Sequence, residues 1–310
     1  MNDLILHHYD GSPFSEKIRL ILGFKGLRWK SVRVPVILPK PDVVALTGGY
    51  RRTPFLQVDG DIYCDTALMS RVIDGVAPAP PLYPASAGGQ QHVLAQWADS
   101  ALFWSAIPYT MQPAAIPHLF GQAPPEFLKE FRADRALMAP GMRRPTPADA
   151  KAHLASYFAW LDGMLGGAGH FLLGAEPCIA DFSVAHSLWY IGRAPPVATV
   201  LEPFPRLLAW SNRMAAFGHG TREELSSDEA LAVAARTSAY APVRVEAGQG
   251  FEGGMQVTVA ATDYATDPVS GTLAGLTNDV VTIERSDPRA GTVRVHFPRV
   301  GYQIRKSEDA

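Results

Sequence analysis

The apolar run from Leu4 to Tyr9 ends in a turn, Asp10–Gly11, and Ser12–Pro13 follows at once. Proline suits the first turn of a helix, where its missing N–H has no partner to lose. Phe14, Ile18, Ile21 and Leu22 then recur at helical spacing, and Gly26 supplies a stop. A strand therefore hands over directly to a helix N-terminus, and Ser12 sits at the junction. The pattern continues with a candidate strand over Trp29 to Val36 and a weaker helix within Pro41 to Leu46. Thr53–Pro54 leads into Phe55 to Val58, the tight-turn pair Asp59–Gly60, and a returning strand, Ile62 to Cys64. Asp65 or Thr66 caps a third helix carrying Leu68, Met69, Val72 and Ile73. The order is β-α-β-α-β-β-α.

Beyond this region the texture changes twice. Residues 1–80 end in the proline-rich stretch APAPPLYP, and residues 88–235 carry Ala, Leu, Trp and Met at helical spacings. Residues 240–310 alternate, as in Thr292–Val293–Arg294–Val295–His296–Phe297, and turn at Gly248 to Gly254, Asp267–Pro268, Asp287–Pro288 and Gly291. Five or six short strands there imply a small all-β unit, an SH3-like barrel or a sandwich, of unassigned role. Two or three domains fit a chain of 310 residues, and the changes of texture divide it into three.

Composition narrows the class. A net charge of −2 gives no bulk attraction for nucleic acid or a membrane surface. No apolar run is long enough to span a bilayer, and the first residues read as a strand and not as a signal peptide. The two cysteines, Cys64 and Cys178, lie far apart and cannot by themselves hold a metal or a disulfide framework. No metal constellation is visible, and a reduced cytoplasmic protein is expected.

Four local patterns carry a resemblance: Ser12-Pro13-Phe14-Ser15-Glu16-Lys17-Ile18-Arg19, Thr53-Pro54 before a strand, Asp65-Thr66, and Ile179-Ala180-Asp181-Phe182-Ser183. In this order and spacing the chain resembles the glutathione S-transferases over roughly residues 3–220. The resemblance implies a thioredoxin-like α/β domain (1–80), an all-helical acceptor-substrate domain (88–235), a homodimer, and glutathione as co-substrate with a hydrophobic electrophile as partner. The strands at 240–310 lie outside it.

The chemistry follows from glutathione itself. A free thiol is mostly protonated at neutral pH, and a hydroxyl at a helix N-terminus can favour the thiolate by donating a hydrogen bond beside aligned N–H groups. The resemblance puts the catalytic residue at Ser12, which also reads as a plain helix cap; Tyr9 is the competing hydroxyl. Thr53, before a cis-proline at Pro54, is implied to meet the peptide backbone of the ligand. Asp65 would pair with the γ-glutamyl ammonium, and Thr66 would hold its carboxylate, though Asp65 is one methylene shorter than the family's usual Glu. Lys40, Arg51 and Arg52 compete for the glycine carboxylate, with Arg51 best matching the family position. Phe14, Trp104 and Tyr109 are expected in the acceptor pocket, with Pro108 and Pro113 interrupting the aromatic stretch that opens the helical domain. Asp181 is assigned to folding. A glutathione transferase is the first reading; a glutathione-dependent isomerase, dehalogenase or peroxidase on the same site is the second, and a non-catalytic binding protein the third.

Overall fold

In a computed structural model, residues 3–167 and 169–307 are described. The N-terminal region runs β1 (Ile5–His8), α1 (Pro13–Phe24), β2 (Arg28–Arg33), α2 (Pro41–Thr47), β3 (Phe55–Val58), β4 (Asp61–Cys64) and α3 (Thr66–Val76). Helices α4 (Gln90–Trp97), α5 (Phe103–Thr110), α6 (Ile116–Phe120), α7 (Pro125–Leu137), α8 (Pro147–Met164), α9 (Ile179–Gly192), α10 (Pro195–Ala198) and α11 (Pro205–Ala215) follow. The chain then forms β5 (Thr221–Glu224), α12 (Ser227–Ala235) and the strands β6 (Gln256–Ala261), β7 (Val269–Leu276), β8 (Val280–Asp287), β9 (Gly291–Pro298) and β10 (Tyr302–Lys306).

The N-terminal order matches the alternation read from sequence, with β2 ending at Arg33 and not at Val36. Within residues 88–235, expected to be all-helical, β5 is a strand; it pairs in parallel with β2. Its sequence, Thr-Arg-Glu-Glu, is polar and mostly exposed, so no apolar alternation announces it. Pro108 was expected to break the helical stretch, yet it lies inside α5, while Pro113 opens a separate short turn.

The C-terminal strands follow the order β10-β6-β7-β8-β9, a meander whose last strand returns beside the first. That is the small all-β path expected, but it is not free-standing. β9 pairs in parallel with β4, with Ile62 opposite Val295, so one sheet runs β10-β6-β7-β8-β9-β4-β3-β1-β2-β5.

Two cores sit on this frame. One joins α1 and α3 to the helical region through Ile18, Ile21, Met69, Phe158 and Phe182. The other joins α2, Phe55 and Ile62 to Leu231 of α12 and to Val293, Val295 and Phe297 of β9. Almost every residue of α9 is buried, the signature of a central helix. Its Asp181 accepts from the backbone N–H of Cys178 and Leu172, each at 2.9 Å, and from the Trp210 indole at 2.8 Å. Among the described residues no helix is long and apolar enough to cross a membrane.

Candidate active site

A cavity of about 1020 Å³ opens where α1, α3, the helical region and the C-terminal strands converge. It lies at the upper end of ordinary ligand pockets, with room for two reactants. Ser12, Tyr9, Phe14, Lys40, Arg51, Thr53, Asp65, Thr66 and Trp104 all line it.

Ser12 occupies the N-cap of α1 in extended geometry, and its Oγ accepts from the Ser15 N–H at 3.2 Å. The same hydroxyl donates to the Thr53 carbonyl at 3.4 Å, a long bond that a better acceptor can replace. Capping uses a lone pair and donation uses the proton, so both roles read from sequence are compatible at this atom. Ser15 itself is buried, with no partner for its Oγ among the described residues. The Tyr9 hydroxyl accepts from Arg135 at 3.5 Å, and that guanidinium also donates to the Val36 carbonyl.

The Thr53–Pro54 peptide is cis. Asp65, at φ +73°, caps α3 by accepting from the Ala67 N–H at 2.9 Å. Non-glycine residues rarely take this backbone region, and such positions cluster at binding sites. Thr66 Oγ1 accepts from the buried Lys17 ammonium at 3.3 Å. Lys17 in turn donates to Asp99 at 2.6 Å, and Asp99 takes His186 Nε2 at 3.0 Å. Burial opposes ionisation of Asp99, but Lys17 and His186 together outweigh it and hold its pKa below the ordinary value. Asp99 sits in a π-helical turn, Ala98–Leu102, an irregularity often found at functional sites.

The three basic candidates separate clearly. Arg51 is held by Asp134 at 2.9 Å, and Arg52 by Asp263 and the Tyr264 carbonyl. The Lys40 ammonium has no hydrogen-bond or ion-pair partner among the described residues, although the residue is only 6% exposed. Burial first, then the nearby Arg135 charge, pushes its pKa down to about 8. An unpaired buried ammonium on a cavity wall is the cation best placed to take a carboxylate.

On the acceptor side, Phe14 packs on Phe103 with ring centroids 4.6 Å apart, and Phe103 on Trp104 at 4.9 Å. Tyr264 closes on Trp104 at 5.0 Å, and the Arg144 guanidinium lies 5.1 Å over the same indole. Tyr109 departs from expectation. It does not line the cavity but is buried, its hydroxyl donating to the Val197 carbonyl at 3.1 Å. A phenol in a packed helical core satisfies its polar tip on the nearest backbone acceptor.

Sequence reasoning missed Lys17, Asp99, Arg135 and the C-terminal residues Tyr264 and Tyr302. Lys17 did leave a signal, since it falls on the stripe of Phe14, Ile18 and Ile21, where a charge needs a buried partner. Tyr302 left none, because its place depends on the β9–β4 seam.

Family models for the glutathione S-transferase N-terminal domain and C-terminal domain match residues 6–81 and 126–213. A GST-like protein from Pseudomonas syringae is 39% identical, with a TM-score of 0.82 over 99% of this chain and 100% of that one. The chain belongs to the glutathione S-transferase family. More distant solved structures share the fold alone. A β-etherase from Sphingobium is 19% identical, with a TM-score of 0.52 over 69% of this chain and 95% of its own. A rice glutathione transferase in complex with glutathione is 18% identical, with a TM-score of 0.50 over 69% and 86%. Those two leave about a third of this transferase-family chain unmatched, whereas the Pseudomonas protein spans nearly all of it. No curated protein matches. Among the described residues of this family member, no cluster of three or more His, Cys, Asp or Glu could hold a metal ion.

Proposed function

We propose that the protein is a glutathione S-transferase that binds glutathione along Thr53, Asp65, Thr66 and Lys40 and stabilises its thiolate at Ser12. One observation carries the reading: Ser12 combines a helix N-cap with a weakly engaged hydroxyl proton on the wall of a large cavity. The hydroxyl and the helix N-terminus each contribute on the order of one to a few kcal/mol, which moves a thiol pKa by about one or two units. The thiolate then attacks an electrophilic carbon of the acceptor. A C–S bond forms, the leaving group departs with its electron pair, and the thiol proton passes to solvent.

Of the basic candidates, Lys40 takes the glycine carboxylate in this reading, because Arg51 is already paired with Asp134. The tilted and edge-to-face rings of Phe14, Phe103, Trp104 and Tyr264 favour a hydrophobic acceptor. A serine where thiol exchange would need a cysteine favours conjugation over peroxide reduction. A cytoplasmic homodimer belongs to the same proposal and rests on family membership alone.

The test is calorimetric titration of glutathione into wild type and Ser12→Ala, with the thiolate absorbance of the bound ligand followed against pH. Wild type should bind with a lowered thiol pKa that Ser12→Ala loses. Binding with an ordinary thiol in both proteins would return Ser12 to a helix cap and bring Tyr9 forward.

A further inference from the structure

We infer that the C-terminal strands are a working part of the glutathione site, in which Tyr302 positions Asp65 to receive the γ-glutamyl ammonium; this rests on the glutathione reading above. Tyr302 opens β10 and pairs with Ala261 of β6. Its hydroxyl donates to Asp65 Oδ2 at 3.1 Å and meets the Tyr50 hydroxyl at 3.2 Å. Arg52 braces the same carboxylate, with Nη1 3.8 Å from Asp65 Oδ2 and its guanidinium 5.6 Å over the Tyr302 ring. The other side of that guanidinium is held by Asp263 and the Tyr264 carbonyl, both in the connection between β6 and β7. Tyr302, 237 positions away in sequence, thus reaches the Asp65 carboxylate directly, and Asp263 and Tyr264 of the same C-terminal region hold the arginine beside it.

The arrangement has a definite chemical consequence. A carboxylate offers about four acceptor positions. The Ala67 N–H and the Tyr302 hydroxyl take one on each oxygen of Asp65, Arg52 lies beside Oδ2, and Asp65 lines the cavity. Both oxygens are fixed before a ligand arrives, so the rotamer entropy that an ammonium would otherwise have to overcome is already spent. Burial raises the Tyr302 pKa well above that of an ordinary phenol, so its hydroxyl keeps the proton it donates. Tyr302 touches no reacting atom. It acts through Asp65, and the strands that carry it are held in place by the β9–β4 ladder.

The experiment compares two ligands on the full-length protein: glutathione, and its analogue in which hydrogen replaces the γ-glutamyl amino group. Dissociation constants are measured by calorimetry for wild type, Tyr302→Phe, Asp65→Asn and the double variant. Wild type should prefer glutathione. Tyr302→Phe should weaken glutathione by about tenfold while moving the analogue by less than about twofold, the size expected of one hydrogen bond to a charged group. Asp65→Asn should abolish the preference, and adding Tyr302→Phe to it should change the ratio no further. Equal weakening of both ligands by Tyr302→Phe would show a merely structural tyrosine and overturn the inference. An unchanged preference in Tyr302→Phe would overturn it too, with glutathione binding intact. A wild type that does not bind glutathione would overturn the underlying reading and this inference with it.

Discussion

The elements β1 to α3 and the strands β6 to β10 share one sheet, yet they contribute to the cavity in opposite ways. In the first set each functional side chain sits where a strand or loop hands over to the next element: Ser12 before α1, Thr53 before β3, Asp65 before α3. Local sequence places those groups, because caps, prolines and tight turns are set by neighbours a few residues away. In the second set, Tyr264 and Tyr302 reach the cavity only because β9 lies against β4. A site can therefore be half local and half long-range in origin, and only the local half carries a motif.

The largest effect should come from breaking the seam. Val295 is fully buried opposite Ile62. Val295→Asp would bury a carboxylate there, at a cost of about 4 kcal/mol or more. Thermal melting should lose its cooperative transition, and glutathione binding should disappear with it. Retained binding at wild-type affinity would mean that the two regions work separately.

A smaller break targets a polar contact across the same seam. His296 Nε2 lies 2.7 Å from Asp61 Oδ1, and its Nδ1 lies 2.9 Å from Thr282 Oγ1, all three side chains being buried. His296→Ala should lower stability by about 2–3 kcal/mol in denaturant unfolding, since it leaves Asp61 Oδ1 without a partner and only Oδ2 still held by the Ala241 N–H. A loss confined to the C-terminal strands would again separate the regions.

Lys40 sharpens the comparison from the N-terminal side. Its folded pKa of about 8 lies below the ordinary 10.5. The folded protein therefore binds fewer protons than the unfolded chain between those values, and stability should rise with pH across that window. Lys40→Met should remove this rise and weaken glutathione by about tenfold. Persistence of the rise in the variant would assign it to other groups. The smallest effect is expected at Tyr109. Tyr109→Phe loses one bond to the Val197 carbonyl, so it should cost about 1 kcal/mol or less and leave the KM for either substrate unchanged.

The same contrast explains what was legible in the sequence. The alternation of Val293, Val295 and Phe297 marked β9 as a strand, and all three side chains are buried. Nothing in that alternation says which edge the strand will meet, because period two fixes a face and not a partner. β5 went unread for a different reason: Thr221 to Glu224 is a polar edge strand held by backbone pairing to β2. Tyr109 and Trp104 belong to one aromatic stretch, and only their positions around α5 decide that one faces the core and the other the cavity. Arg51 best matches the family position for the glycine carboxylate, and its partner Asp134, on α7, is too distant in sequence to announce that pairing.

Hydrogen exchange on the full-length protein, with and without glutathione, tests most directly whether these regions form one unit around one site. Amides of β4 and β9 should open only with the whole molecule. Glutathione should slow exchange at β3, β4, β9 and β10 together. Exchange in β6 to β10 that proceeds by its own faster opening, untouched by glutathione, would contradict the account.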